Sequence, residues 1–183
     1  MADFFHLKGP TIALIDWANI FHVQEKNGWE VDLAKLHALL RSHSQVHDIV
    51  LFHGRDTHPK SVEFLAIQAK TGYRIVTKDV KLVRIMEDSE GNTLPVPLLR
   101  RKCDFDVEIS MEILLNLDRF YGFILFSGDG DYAPIFDVLR ERRKQAILVF
   151  PQGSKGREYE ENIERNRGMF LCSLERLRSQ IAK

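Results

Sequence analysis

Short apolar runs alternate with amphipathic stretches along this chain. Thr11 to Asp16, Asp48 to His53, Tyr73 to Thr77, Gly122 to Ser127 and Ala146 to Phe150 are short and rich in Ile, Val, Leu and Phe. Such runs read as strands buried on both faces, as in a parallel sheet covered by helices. Helix signals fill the spaces between them. Asp32 can cap a helix through Leu33, Leu36, Leu39 and Leu40, and Pro59 can open another through Val62, Leu65, Ile67 and Ala69 that closes near Gly72. Both suit crossovers between parallel strands, so the pattern predicts an open α/β fold.

The segment from Val80 to Lys102 departs from that alternation. Leu82 to Met86 and Leu94 to Leu99 flank the turn-forming Asp88-Ser89-Glu90-Gly91-Asn92, which predicts a hairpin or protruding flap over residues 80–101. Further on, Gln152 to Arg167 is highly charged and holds two glycines, and Met169 to Cys172 with Leu174 to Leu177 predict a last strand and helix. With no internal repeat, low-complexity tract or clear linker, residues 1–183 read as one domain.

Composition adds bounds. A chain of 183 residues, 44% of them hydrophobic, can build one substantial core. Lys plus Arg equals Asp plus Glu at 26 each, so attraction to a polyanion must come from local patches. Cys103 and Cys172 make no disulfide framework and have no metal spacing, which favours free thiols in a reducing compartment. No run approaches the roughly 20 apolar residues of a membrane span, and the first residues lack a secretion signal, so a soluble cytoplasmic protein is expected.

The chemistry sits at two strand ends. Asp16-Trp17-Ala18-Asn19 follows the first run, and Ser127-Gly128-Asp129-Gly130-Asp131 follows Phe123 to Phe126. Ligands of open α/β sheets gather beyond the carboxyl ends of the strands, so these carboxylates can share a pocket. A third acid comes from the helical pattern after Lys102-Cys103-Asp104, where Asp106 shares its side with Ile109, Ile113 and Leu117 while Glu108 and Glu112 fall outside the apolar arc. A carboxylate aimed at a core needs compensation, which a helix N-terminus or a cation can supply.

In this order, strand-Asp-x-x-Asn (Asp16, Asn19), Lys-x-x-x-Asp-Val (Lys102, Asp106, Val107) and strand-Ser-Gly-Asp-Gly-Asp-Tyr (Ser127 to Tyr132) resemble the NYN domain, a branch of the PIN-like nuclease superfamily. The likeness spans roughly Thr11 to Leu171, including Phe52-His53-Gly54 and Gly72 to Lys78. It implies a Rossmann-like three-layer sandwich with a mainly parallel sheet, and Mg²⁺ or Mn²⁺ held by clustered aspartates. It also implies RNA as the substrate or partner. By the match, Asp16, Asp106, Asp129 and Asp131 are the metal and catalytic positions, and Asn19 and Ser127 their polar neighbours. Another acid that many PIN nucleases carry on an early helix has no counterpart in Leu33 to Ser42; Glu63 is a loose substitute.

Hard cations prefer oxygen ligands, and one or two of them can activate water and neutralise a scissile phosphate without a protein nucleophile. Each residue also has a structural reading. Asp131 would make an N-cap ahead of Pro134, Asp129 a turn, Asp106 a dipole partner in a first helical turn and Asn19 a cap, while Asp104 reads as a surface residue or a cap. Gly128 and Gly130 could let the backbone approach a phosphate. Phosphate contacts would fall to Arg101 and Lys102, with Lys78, Lys81, Arg84 and Arg100 nearby, whereas Arg140 to Lys144 read as solvated helix-end cations. Trp17 and Tyr132 adjoin the acids and read as core or rim packing, and His53 and His58 lack ligand spacing.

The expected function is therefore metal-dependent hydrolysis of RNA phosphodiester bonds. The alternatives are an RNA-binding regulator of the same fold with little catalysis and, less favoured, a small-molecule phosphatase. The phosphatase pattern asks for a second Asp where this chain has Ala18. A homodimer is compatible with all three.

Overall fold

The structure, a computed structural model, describes residues 4–87, 93–159 and 169–183. The turn expected at Asp88 to Asn92 lies outside the described residues, as does the end of the charged stretch running to Arg167. Among the described residues no helix is long and apolar enough to cross a membrane.

Six strands, β1 (Thr11–Asp16), β2 (Val46–Phe52), β3 (Arg74–Val76), β6 (Gly122–Phe126), β7 (Gln145–Phe150) and β8 (Met169–Ser173), form one sheet in the order β3-β2-β1-β6-β7-β8. Every neighbouring pair in it is parallel. Between them, β4 (Lys81–Glu87) and β5 (Thr93–Lys102) pair antiparallel as a separate two-stranded arm, in the place of the expected flap. The α/β expectation holds because strands apolar on both faces need cover on both. Ala13 and Ile15 face one layer with α1 (Trp17–Asn27), α2 (Leu33–Arg41) and α3 (Pro59–Thr71). Ile12 and Leu14 face the other, with α4 (Asp106–Leu115) and α5 (Ala133–Glu141).

Local chemistry sets the helix bounds. Asp32 caps α2 by accepting from the Ala34 and Lys35 amides, and Pro59 occupies the first turn of α3. The third strand is shorter than the apolar run. Tyr73 bonds the Gln68 carbonyl through its amide and the Leu33 carbonyl through its hydroxyl at 2.7 Å, which removes it from the ladder.

The strand order places a switch point between β1 and β6: from β1 the sheet grows through β2 to β3, and from β6 through β7 to β8 in the opposite direction. Crossovers therefore diverge on either side of this pair, leaving a crevice above its carboxyl ends. Asp16 ends β1, and Ser127 directly follows β6.

Candidate functional site

Asp16 is the buried member of the acidic group, with 7% of its surface exposed. Side chains alternate along β1, so Asp16 points to the α4–α5 layer while Trp17 joins the opposite one. One oxygen of Asp16 caps α1 by accepting from the Asn19 amide at 3.3 Å. The other accepts from the Tyr132 hydroxyl at 3.2 Å. The same hydroxyl also bonds Asp106, in the first turn of α4. Tyr132 is completely buried, so its ring packs as core, as expected, while its hydroxyl stands between two acids.

Asp129 completes the group. Its amide donates to the Ser127 hydroxyl at 3.2 Å, its carboxylate accepts from the Asp131 amide at 3.1 Å, and its carbonyl accepts from the Tyr159 hydroxyl at 2.5 Å. Burial pushes the Asp16 carboxyl from 3.8 to about 6; the Asn19 amide and Tyr132 hydroxyl oppose that rise, and the charges of Asp106 and Asp129 add to it. Asp106 is also raised, by burial first and then by Asp129, Asp104 and Asp131, against the Tyr132 bond. Three separate elements thus bring Asp16, Asp106 and Asp129 into one electrostatic neighbourhood. Asp131 borders it and is exposed.

Because the Asp16 carboxyl titrates higher in the folded than in the unfolded chain, the fold binds an extra proton between pH 3.8 and about 6, and stability from this group falls as pH rises through that window. Above it, the metal-free protein carries an ionised Asp16 at a cost of ~3 kcal/mol. Denaturant unfolding in chelator should show wild type and Asp16→Asn diverging by roughly that amount from pH 4 to pH 7. A constant difference across the range would contradict the burial assignment.

Several expectations change. Asn19 does not cap α1, because Asp16 occupies that position; the freed Asn19 carboxamide oxygen accepts from the Gly128 amide at 2.7 Å and ties the β1 and β6 loops together. Asp131 does not cap α5 either. Asp129 caps the single turn Gly130–Tyr132 instead, and α5 starts at Ala133 without a side-chain cap. Gly128 and Gly130 turn their Cα hydrogens onto protein: a Cβ on Gly128 would lie 2.2 Å from the Ser154 carbonyl oxygen, and one on Gly130 would lie 2.0 Å from the Glu158 carboxylate. Their missing side chains admit the loop after β7, which is clamped by the Gly156 amide on the Gly128 carbonyl at 2.9 Å.

That loop brings in Glu158, an acid with no motif to announce it, and Tyr159, whose hydroxyl burial and the charges of Asp129, Glu158 and Asp131 push up. Ser127 is fully buried. Arg101 pairs with Asp56, and Lys102 pairs with Asp104 at 3.0 Å, so both expected phosphate contacts sit in ion pairs at the base of the arm. Asp104 is a surface residue and does not cap α4. Glu108 and Glu112 are taken by Lys78 at 2.8 Å and Arg74 at 2.6 Å, consistent with their place off the apolar arc. Glu63 lies exposed on α3 and is absent from the charges acting on Asp16 or Asp106.

Among the described residues, no three His, Cys, Asp or Glu side chains are grouped closely enough to hold a metal ion. The acids are neighbours with the Tyr132 hydroxyl among them. By chemistry alone, the carboxylate oxygens of Asp16, Asp106 and Asp129 are the donors a hard divalent ion takes, and the single Tyr132 proton cannot offset two carboxylates.

The NYN domain profile matches residues 10–163. The low amplitude and bright protein LabA of Synechococcus elongatus is 24% identical over 153 residues, which are 82% of this chain and 78% of LabA. A crystal structure of a protein of unknown function from Vibrio parahaemolyticus has a similar fold, with a TM-score of 0.69 at 16% identity over 96% of this chain and 97% of that one.

Proposed function

Because this chain belongs to the NYN domain family, we propose that it is a metal-dependent ribonuclease whose Mg²⁺ or Mn²⁺ is held by Asp16, Asp106, Asp129 and Asp131. The family is a nuclease-like, RNA-binding fold. The observation that carries the finer reading is that Asp16, buried at the end of β1, stands close to the carboxylates of Asp106 on α4 and Asp129 in the β6 loop. Natural cores rarely retain such mutual repulsion unless something offsets it.

When bound, the ion would neutralise charge on the scissile phosphate and activate the attacking water. The remaining work belongs to the chain. Asn19 fixes the β6 loop against α1, the Ser127 hydroxyl orients Asp129, and the Tyr132 hydroxyl sets the spacing of Asp16 and Asp106. Lys81, Arg84 and Arg100, which share the arm with the ion-paired Arg101 and Lys102, draw RNA phosphates toward the crevice. A second reading, an RNA-binding regulator with little turnover, is favoured by one observation, the Tyr132 hydroxyl interposed between Asp16 and Asp106.

Incubating the protein with labelled RNA and DNA in Mn²⁺, Mg²⁺ or chelator, beside Asp129→Asn, separates these readings. An amide oxygen at that position can still accept from the Asp131 amide, so the turn survives the substitution. The ribonuclease reading expects metal-dependent RNA cleavage that drops at least ~100-fold in the variant. Equal cleavage by both proteins would remove it, and metal-independent RNA binding without turnover would favour the regulator.

A further inference from the structure

The acids use only one side of the sheet's carboxyl rim. On the other side, where Trp17 and His53 follow the alternation of β1 and β2, four aromatic rings stand in a row. Phe21 lies 6.0 Å from Trp17, Trp17 stacks on Phe64 at 6.1 Å and 21°, and Phe64 meets His53 at 4.7 Å. Trp17 is buried at 6% exposure and Phe21 is 51% exposed. Phe64 and His53 are partly exposed. The row is therefore a contiguous ledge anchored by Trp17 and open to solvent on its outer rings, unlike an isolated surface phenylalanine.

Two observations place this ledge beside the acids and beside positive charge. Asp16 pairs in register with Phe52, so the residues following each, Trp17 and His53, lie side by side just past the ends of β1 and β2, on the face opposite the acid. At the His53 end stands the base of the arm. Arg101 pairs there with Asp56, and its charge, after burial, holds the His53 imidazole below its usual range. Leu82 faces Arg101 across the arm and Leu99 faces Arg84, so one face of the ribbon alternates cations with leucines that are 66% and 63% exposed.

Aromatic faces next to guanidinium groups match the two halves of an unpaired nucleotide, with rings stacking on bases and cations meeting phosphates. A duplex turns its base faces inward and offers this surface only its backbone. We propose that Phe21, Phe64 and His53, with Arg101 at one end, form a stacking subsite for unpaired bases. This inference rests on reading the acidic crevice as a phosphodiester site.

The test uses full-length protein carrying Asp129→Asn, so that RNA stays intact, titrated with a short oligoribonucleotide bearing a fluorescent adenine analogue, alone and annealed to its complement. The single strand should bind more tightly than the duplex and its fluorescence should be quenched by stacking. Phe21→Ala, at an exposed position that leaves the core untouched, should weaken single-strand binding ~10-fold and relieve the quenching. Phe21→Trp should retain both, and Arg101→Gln should weaken binding and flatten its salt dependence. Equal binding of single strand and duplex, or Phe21→Ala and Arg101→Gln proteins binding like their parent, would overturn the subsite even if the Asp129 protein cleaves RNA. Ledge-dependent binding by an Asp129 protein that never cleaves would keep the subsite and remove the ribonuclease reading. A ledge that binds no RNA and instead mediates association with another protein would overturn the inference.

Discussion

Asp16→Asn is expected to reduce metal-supported RNA cleavage at least ~100-fold while leaving the metal-free protein more stable at pH 7 than wild type. The two effects share one cause. Asp16 is pushed up to about 6 by burial, so at neutral pH the metal-free fold bears its charge at a cost. An amide removes that charge. It also keeps the local structure, because asparagine caps a helix about as well as aspartate and can still accept from the Asn19 amide. The introduced NH₂ can donate to the Tyr132 oxygen, leaving the Tyr132 proton for Asp106. Relief of up to ~3 kcal/mol, at roughly 2–4 °C per kcal/mol for a chain of this size, raises the melting temperature of the chelated protein by several degrees.

Metal should act in the opposite sense. A divalent ion favours the ionised carboxylates, so Mn²⁺ should raise the melting temperature of wild type and leave Asp16→Asn nearly unmoved. Melting curves with Mn²⁺ and with chelator, run beside the cleavage assay, check both halves. A variant that cleaves normally would exclude Asp16 from the reaction, and one that is destabilised without metal would show its charge to be a structural asset.

Much of this arrangement could be read from sequence because it is written in local patterns. Apolar runs without alternation announced a covered parallel sheet, and β1 and β6 ended where Asp16 and Ser127 were expected. The helical arc through Ile109, Ile113 and Leu117 placed Asp106 inward, and the Asp88–Asn92 turn signal marked the arm. What escaped was set by contacts between distant segments. Asn19 obeys a capping rule that Asp16 had already satisfied, and only the approach of Gly128 gives its carboxamide another partner. The Tyr132 ring was legible as core, but its hydroxyl gains meaning only where α4 and β1 meet. No period or motif links Phe21, Phe64 and His53, which come from α1, α3 and the end of β2.

The glycines of the Ser-Gly-Asp-Gly-Asp stretch are the sharpest case of that limit, and they set the second large expected effect. Gly128→Ala should lower stability by ~2–4 kcal/mol, or roughly 5–15 °C in melting temperature, and reduce cleavage at least ~10-fold. The added methyl would meet the Ser154 carbonyl oxygen at 2.2 Å and the Ser154 carbonyl carbon at 2.8 Å, and backbone cannot swing aside as a side-chain end can. The turn must retreat. Its retreat strains the Gly156 amide bond to the Gly128 carbonyl and the Tyr159 hydroxyl bond to the Asp129 carbonyl, each worth ~1 kcal/mol. Asp129 loses its clamp in the process, which couples the stability loss to the chemistry. Gly153→Ala is the matched control in the same loop. Its φ of +79° imposes strain, but nothing lies within 4 Å of the added carbon. It should cost only ~1–2 kcal/mol and spare cleavage. Equal losses in the two variants would mean that backbone strain alone governs the loop, and that the packing of Ser154 on Gly128 does not hold Asp129 in place.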